Sequence, residues 1–305
     1  MQTILITGGT GLIGTELTAM LTREGYKVII LTRKPSAPVG NVSYAAWDIE
    51  KQTIDKAAIE QADHIVHLAG ANVAEKRWTK KRKKEILQSR TRSGALLVQS
   101  LREIPNKVQS VTSASAIGWY GPDPSIPNPH PFTEDYDAAT DFLGSTARAW
   151  EESIKAVTEM GKRLVFIRTG IVLSMKGGAL KEFASPIRFG MATILGSGTQ
   201  ILSWIHIEDL CRIYLKAIQE NMQGPYNAVA PKPVNNKELV LELAKRRRGK
   251  TFLPVHVPEF ALKLALGEMS IEVLKSTTVS SRKIQATGFQ FLFPSVKSAL
   301  EDLIK

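Results

Sequence analysis

Apolar and polar positions vary along the first 230 residues in a pattern that predicts strands and helices in turn. Short apolar runs predict β-strands at residues 4–6, 28–31, 64–68, 110–113 and 164–167. Stretches with apolar residues at helical spacing predict helices at residues 15–24, 80–101 and 147–160. This order predicts an α/β fold: a Rossmann-type, doubly wound parallel sheet covered by helices on both faces. Such sheets bind ligands at the carboxyl ends of their strands.

Two long irregular segments interrupt the pattern. Residues 121–141 are rich in proline and residues 174–203 in glycine, and loops of this length inside a compact domain are usually functional. After residue 230 the chain consists of helical pieces broken by Pro254, Pro258 and Pro294. We therefore expect a nucleotide-binding domain over residues 1–230, with substrate-side segments at about 174–205. A smaller, mostly helical C-terminal domain is expected over residues 231–305.

The first predicted strand runs into a glycine-rich turn that precedes the first predicted helix. Gly8 or Gly9 would let the strand turn with positive φ, and Gly11 would let a pyrophosphate approach the backbone. Gly14 would let the helix pack closely on the strand. The free N–H groups and the dipole at the helix start favour phosphate. A purely structural turn is the alternative, but the strand–turn–helix context predicts dinucleotide binding.

The end of the second predicted strand indicates which dinucleotide binds. NAD-binding folds usually carry an acidic residue there for the ribose 2′-hydroxyl, whereas this strand ends in Thr32, Arg33 and Lys34. A guanidinium and an ammonium suit a 2′-phosphate, and no carboxylate is present to repel it. A solvated basic loop is the alternative. The sequence thus predicts NADP(H) rather than NAD(H).

Composition and charge narrow the function classes further. The 305 residues include a single cysteine, Cys211, so no intrachain disulfide can form. The first predicted strand begins almost at Met1, leaving no room for a cleavable signal, and no apolar run is long enough to span a bilayer. We therefore expect a cytoplasmic enzyme, a monomer or a homodimer, with a small-molecule substrate, no membrane partner and no metal site.

The net charge of +11 raises the possibility of a nucleic-acid partner. Its main local sources are residues 76–84 and 245–250, which lie beside helical patterns and lack the alternating aromatic residues of a base-stacking surface. We interpret both runs as solvated helix faces whose field could attract an anionic cofactor or substrate. No specific nucleic-acid partner is expected.

Several motifs resemble those of a known superfamily. Residues 7–14, 67–70 and 113–121 are similar to the short-chain dehydrogenase/reductases, and the extended nucleotide-sugar epimerase/dehydratase branch fits best. An atypical branch, the epimerase family proteins (SDR39U1-like), is closer still. The stretches that match it are residues 77–79, 89–90, 142–143, 150–151, 168–174, 196–200, 204–209 and 226–231. Residues 267–268 and 288–291 resemble the small C-terminal domain of that group, so the resemblance covers essentially the whole chain.

The resemblance implies contacts along the whole length of the cofactor. The pyrophosphate would be contacted by Gly8, Thr10, Gly11, Leu12, Ile13 and Gly14. The 2′-phosphate would be contacted by Thr32, Arg33 and Lys34, and the adenine by Asp48 and Ile49. Contacts to the nicotinamide ribose and the nicotinamide would come from Leu68, Ala69 and Gly70 and from Thr169, Gly170 and Ile171. For Asp48, an ordinary loop or capping aspartate is the alternative.

The catalytic residues depart from the superfamily pattern. In these enzymes a tyrosine transfers the proton, a lysine four residues on lowers its pKa, and a serine or threonine orients the substrate oxygen. Ser115 matches the serine, although a serine that caps its own backbone is the alternative. None of the six tyrosines has a lysine four residues on, and residues 141–151 contain neither residue type. The usual proton relay therefore lacks its parts.

Other side chains are candidates for the missing acid. Tyr120, Glu134, Asp135 and Asp141 lie in or beside the proline-rich loop, which is expected to cover the cleft. His206 is expected near the substrate side, with a structural histidine as the alternative. Residues 177–180 and 196–200 have the composition of flexible segments that close on a substrate.

Three hypotheses follow. The favoured one is an NADP(H)-dependent oxidoreductase of the short-chain type, acting on an unidentified carbonyl or hydroxyl compound, because the long loops indicate a substrate. The second is a nucleotide-sugar epimerase or dehydratase, against which the missing tyrosine–lysine pair counts. The third is a non-catalytic NADP(H)-binding sensor or regulatory protein.

Overall fold

A computed structural model describes residues 1–304 and contains a central sheet of eight strands, ordered β12-β7-β6-β5-β1-β2-β3-β4. The strands of the chain are β1 (Thr3–Thr7), β2 (Lys27–Thr32), β3 (Val42–Asp48), β4 (Thr53–Ile54), β5 (His64–His67), β6 (Ser110–Ala116), β7 (Arg163–Thr169), β8 (Ile171–Leu173), β9 (Met191–Leu195), β10 (Ile201–Leu202), β11 (Trp204–His206), β12 (Gly224–Ala228), β13 (Val234–Asn235) and β14 (Leu253–Val257). Neighbouring strands of the large sheet are parallel, except that β4 runs antiparallel to β3. The predicted α/β Rossmann-type fold is confirmed.

Helices cover both faces of this sheet and make up most of the C-terminal region. They are α1 (Leu12–Arg23), α2 (Lys56–Gln61), α3 (Lys80–Glu103), α4 (Phe142–Ile154), α5 (Ala179–Ile187), α6 (Ile207–Gln219), α7 (Asn236–Arg248), α8 (Glu259–Leu266), α9 (Ser270–Leu274), α10 (Arg282–Ala286) and α11 (Val296–Leu303). Among residues 1–304, no helix has the length and apolar character needed to cross a membrane.

Alternate side chains of β1 enter two separate cores. Ile4 and Ile6 pack on the side of α1 and α6, whereas Leu5 packs on the side of α2 and α3, and all three are fully buried. A strand that is buried on both faces reads as a continuous apolar run, which is why the sequence identified it. The carboxyl end of β1 therefore lies at the centre of the sheet, beside those of β2 and β5.

Several predicted boundaries were wrong. Helix α1 begins three residues before the predicted start, and α4 begins five residues early because Asp141 caps it, accepting a hydrogen bond from the Gly144 N–H. The predicted end of α4 was also wrong, since residues 155–160 form a 3-10 turn. The sequence missed β3, which is partly exposed, and β12, an edge strand that starts with Gly224 and Pro225.

The expectation that residues 174–203 are irregular was wrong, because they contain α5, β9 and β10. Strand β9 pairs in parallel with β14, and β10 pairs antiparallel with β13. Their apolar side chains share one core with the C-terminal region, in which Leu180, Ile194 and Trp204 pack with Leu243 and Leu300. These short strands were missed because their partners lie far along the chain. The domain boundary near residue 230 stays a prediction.

Candidate cofactor cleft and reaction centre

The turn between β1 and α1 depends on two glycines. Gly8 has a φ of +70°, and a Cβ there would lie 2.9 Å from the carbonyl carbon of Leu68. A Cβ on Gly14 would lie 2.5 Å from the Cα of Gly9, so only glycine lets α1 pack against the turn. Of the two predicted alternatives, Gly8 rather than Gly9 supplies the positive φ.

Gly11 occupies a different environment at the start of α1. A Cβ there would meet only the Gly8 carbonyl oxygen, at 3.3 Å, so the backbone is open on that side. Gly11 is the N-cap of α1, and no side chain caps the helix. The first N–H groups of a helix have no partners within the helix, and here they are left to bind a ligand or water.

The β5 end lies directly against this turn. The Thr7 hydroxyl accepts hydrogen bonds from the N–H groups of Leu68 and Ala69, both at 3.1 Å, and shares one of 2.7 Å with His67 Nδ1. On its other side His67 Nε2 lies 3.3 Å from the Ser93 hydroxyl. Burial lowers the pKa of His67 to about 3, so the ring is neutral. This network fixes the predicted ribose segment beside the glycine turn.

A cleft of about 780 Å³ opens at the ends of β1, β2, β3 and β5. It is lined by many of the predicted cofactor residues: Gly8, Thr10, Thr32, Arg33, Asp48, Ile49, Ala69 and Gly70. Lys34 is exposed and is not among the lining residues. Lys81, Lys84, Gln88 and Ser89 of α3 also line the cleft, and the sequence reading missed them. The signal for the two lysines was the basic run 76–84, which was interpreted as a solvated helix face whose field could attract an anionic cofactor or substrate.

Asp48 has the capping role that was left open as its alternative. Its carboxylate accepts hydrogen bonds from the N–H groups of Glu50 and Lys51, at 2.8 and 3.1 Å. The hydrogen bond from Lys51 is the main cause that lowers the pKa of this carboxyl, and nearby Arg33 adds to it. Asp48 still faces the cleft, so capping and adenine contact are compatible.

The last predicted cofactor segment, residues 169–171, follows β7 and packs against the core shared with the C-terminal region. A Cβ on Gly170 would lie 2.6 Å from the Ser203 carbonyl oxygen, and Ile171 pairs with Trp204. Neither Thr169, Gly170 nor Ile171 lines the cleft described above. Gly178 belongs to the segment predicted to close on a substrate. A Cβ built on this glycine would lie 3.5 Å from the Leu12 side chain. This segment therefore rests on the start of α1.

Ser115, near the end of β6, belongs to a buried polar network. Its hydroxyl donates a hydrogen bond of 2.7 Å to Glu151 Oε1. Arg168 of β7 holds the same carboxylate with two hydrogen bonds, from Nε at 2.9 Å and from Nη2 at 3.1 Å. The Arg168 guanidinium also stacks on the Trp119 ring, 3.6 Å from its centroid. The carboxylate is thus shared between a serine hydroxyl and a guanidinium.

Comparison with known proteins places this architecture in a family. A family model described as NAD dependent epimerase/dehydratase family matches residues 4–229. The chain belongs to this family. A second model, Domain of unknown function (DUF1731), matches residues 257–303.

This epimerase/dehydratase family member aligns with related proteins over essentially its full length. It is 36% identical over 307 residues to the epimerase family protein YfhF of Bacillus subtilis, covering 99% of this chain and 97% of that protein. It is 37% identical over 309 residues to the epimerase family protein SSP1921 of Staphylococcus saprophyticus, covering 100% of both. The resemblance to epimerase family proteins is confirmed.

Solved structures of other proteins share the fold of this chain. The crystal structure of human epimerase family protein SDR39U1 (isoform 2) with NADPH superimposes with a TM-score of 0.86 at 29% identity, over 99% of both chains. The UDP-glucuronic acid 4-epimerase of Bacillus cereus has a TM-score of 0.80 at 18% identity and shows the shared fold alone.

Two candidate acids of this family member lie inside the protein rather than in an open cleft. Tyr120 is buried, and its hydroxyl donates to Asn227 Oδ1 and accepts from Arg168. Burial raises its pKa to about 12. Glu134 is also buried, accepts the Asn227 N–H, and has a pKa raised mainly by burial. The loop turns both side chains inward, onto β7 and β12.

The remaining candidates have structural roles or no defined partner. Asp141 caps α4 and lies 3.7 Å from Lys275, whereas Asp135 is exposed. His206 is buried and caps α6, since its Nδ1 accepts the Glu208 N–H. It lines a separate cavity between α1, α6 and α11, not the cofactor cleft. His206 is therefore placed as a structural histidine, the alternative to a catalytic acid. Within residues 1–304 no cluster of metal-ligating side chains occurs.

Proposed function

We propose that this protein binds NADP(H) in the cleft at the β1–α1 turn and uses it to oxidise or reduce a small hydroxyl or carbonyl compound. The observation that carries the proposal is that Arg33 lines the same cleft as the glycine turn. The solved human relative that contains NADPH supports the cofactor assignment.

The residues present fit such a cofactor. The uncapped first turn of α1 and the open space at Gly11 would receive the pyrophosphate. Arg33, with its planar guanidinium, suits a 2′-phosphate. Gly70 would leave room for the ribose, and a Cβ there would lie only 3.0 Å from the Arg90 guanidinium carbon. That guanidinium donates through Nη1 to the carbonyl oxygens of Ala71 and Ile86.

A bound nicotinamide would supply or accept a hydride, and the protein must handle the accompanying proton. The Ser115 hydroxyl gives its proton to the Glu151 hydrogen bond, so its oxygen lone pairs remain available to accept from a substrate hydroxyl. Arg168 keeps Glu151 fixed in this position. Ser115 is thus the group that we assign to orienting the substrate oxygen.

A non-catalytic NADP(H) sensor is the second candidate, and one observation favours it. Helix α4 contains neither tyrosine nor lysine, so both the tyrosine that transfers the proton in related enzymes and the lysine that lowers its pKa are missing. The same absence counts against a nucleotide-sugar epimerase or dehydratase, since those reactions need a base in the role of the tyrosine.

Cofactor titration tests the binding proposal. Arg33→Ala should weaken NADPH at least tenfold, equivalent to about 1.4 kcal/mol, while NADH binding changes little. Lys27→Ala, an exposed cation at the other end of β2, is the matched control and should leave both affinities unchanged. Equal losses of NADPH and NADH affinity in Arg33→Ala would reject the 2′-phosphate assignment.

Turnover separates the enzyme from the sensor. Purified protein is mixed with NADPH and a panel of aldehydes, ketones and nucleotide-linked sugars, and the nicotinamide absorbance is followed. Consumption of NADPH with one compound class identifies an oxidoreductase. Micromolar cofactor binding without any turnover favours the sensor.

A further inference from the structure

The first turns of α3 present one face to the cofactor cleft. The Thr79 hydroxyl accepts a hydrogen bond from the Arg82 N–H and fixes where the helix begins. Residues three, four and seven positions apart then share a face, and Lys81, Lys84 and Gln88 all line the cleft. Part of the basic run therefore faces the cofactor cleft.

Other lysines of the same run point elsewhere. Lys83 pairs with Glu268 and lies 5.2 Å from the centroid of the Phe142 ring. Lys80 is exposed and does not line the cleft. Two lysines with cleft contact and two without it thus lie within five residues, which provides internal controls.

Three of the four carboxylates in the cleft are already paired with arginines. Arg82 bridges Glu75 and Glu85, with N–O distances of 2.9 and 2.8 Å. Glu50 pairs with Arg92, at 2.5 Å. Because Arg82 offsets only one of its two carboxylates, these three carboxylates keep one net negative charge in the cleft.

The fourth carboxylate, Asp48, is turned to its own backbone, where it accepts two N–H groups. Lys81 and Lys84 form no ion pair with any of residues 1–304, and Arg33 interacts with Asp48 only through space, without an ion-pair contact. The cleft therefore holds three cations that form no direct ion pair within the described residues, from two elements far apart in the sequence. Such a set is suited to a dianionic group.

We propose that Lys81 and Lys84 bind the 2′-phosphate together with Arg33, so that α3 contributes directly to the choice of NADP(H) over NAD(H). The inference rests on the proposed cofactor binding and extends it to a second element of the fold. If the lysines instead acted only as a diffuse positive field, removing the neighbouring Lys80 would also weaken NADPH binding, and NADH would lose affinity as well through its pyrophosphate.

The test compares the Lys81→Ala/Lys84→Ala double variant with Lys80→Ala. NADPH, NADH, adenosine 2′,5′-bisphosphate and AMP are titrated against each purified protein. We expect the double variant to lose NADPH and bisphosphate affinity at least tenfold, with NADH and AMP within twofold of the unmodified protein. Lys80→Ala should bind all four ligands normally. Thermal melting checks that these exposed substitutions leave the fold intact.

Two results would overturn the inference: unchanged NADPH affinity in the double variant, or equal losses for NADPH and NADH. Arg33→Ala in the same series separates this inference from the cofactor proposal. A NADPH-selective loss in Arg33→Ala, combined with normal binding by the lysine variant, contradicts only the role of α3. No NADPH binding by the unmodified protein contradicts both.

Discussion

The Ser115 hydroxyl and the Glu151 carboxylate are joined by a 2.7 Å hydrogen bond between β6 and α4. Arg168 reaches the same carboxylate from β7, so one buried group ties two strands of the sheet to the helix that covers them. The resemblance to short-chain dehydrogenase/reductases implies that this segment would carry the tyrosine that transfers the proton and the lysine that lowers its pKa. Here it supplies a glutamate that holds the serine in place.

Glu151→Gln should destabilise the protein substantially. The change leaves the buried Arg168 guanidinium without its counter-charge, which typically costs about 3 kcal/mol or more. Urea unfolding followed by circular dichroism measures the loss. Glu152→Gln is the control, because Glu152 pairs with Lys155 at the surface and should change the free energy of unfolding by less than about 1 kcal/mol. Similar small effects in both variants would show that the network does not stabilise the fold.

Ser115→Ala should separate stability from turnover. Removing one hydrogen bond to Glu151 should cost about 1 kcal/mol of folding free energy and leave NADPH affinity within about twofold. If the protein is an oxidoreductase, turnover should fall by about a hundredfold or more. Ser113→Ala is the matched control, since its buried hydroxyl donates only to the Ala114 carbonyl oxygen. Turnover unaffected by Ser115→Ala would remove Ser115 from the mechanism.

The sequence predicted those features that depend on local pattern. The apolar run of β1 and the glycines that follow it identify the turn, because both strand burial and positive φ leave direct traces in residue type. Arg33 was found because its position follows from the end of β2. The closer resemblance to epimerase family proteins was also visible in short motifs along the whole chain.

Features that depend on distant partners were missed. Strand β9 forms because β14, about 60 residues later, pairs with it, and no local signal shows that. Tyr120 reads as a loop residue, yet its packing against Asn227 and Arg168 places it in the interior. Arg168 itself was a possible signal, because a charged residue that continues an apolar strand usually needs a buried partner. Glu151 is that partner.

Gly11→Ala and Gly14→Ala should damage different properties. An alanine Cβ at position 14 would overlap the turn backbone, so we expect a loss of about 1–3 kcal/mol in folding free energy together with weaker NADPH binding. At position 11 the φ of −80° suits alanine and space is available, so folding should change by less than about 1 kcal/mol. NADPH affinity should still fall more than tenfold, because the Cβ would occupy the path of the pyrophosphate. Chemical denaturation and fluorescence titration measure the two effects, and normal NADPH affinity in Gly11→Ala would contradict the proposed binding site.

The free energy of unfolding should decrease as the pH is lowered, because His67 is buried in its neutral form. Its pKa is about 3 in the folded protein and about 6.5 in an unfolded chain, so the unfolded state binds the extra proton between these values. This group stabilises the fold fully above pH 6.5, and the contribution is lost by up to about 1.4 kcal/mol for each pH unit down to about 3. His64 and His206, whose pKa values burial also lowers, add to the slope in the same direction.

Urea unfolding at pH 7.5, 6.5, 5.5 and 4.5 measures the total pH dependence of the free energy of unfolding. His67→Asn, which can retain the hydrogen bond to Thr7, should be less stable at pH 7.5 but show a shallower decline. An identical slope in the variant would mean that His67 is not the neutral, buried group that fixes the β5 end of the cleft.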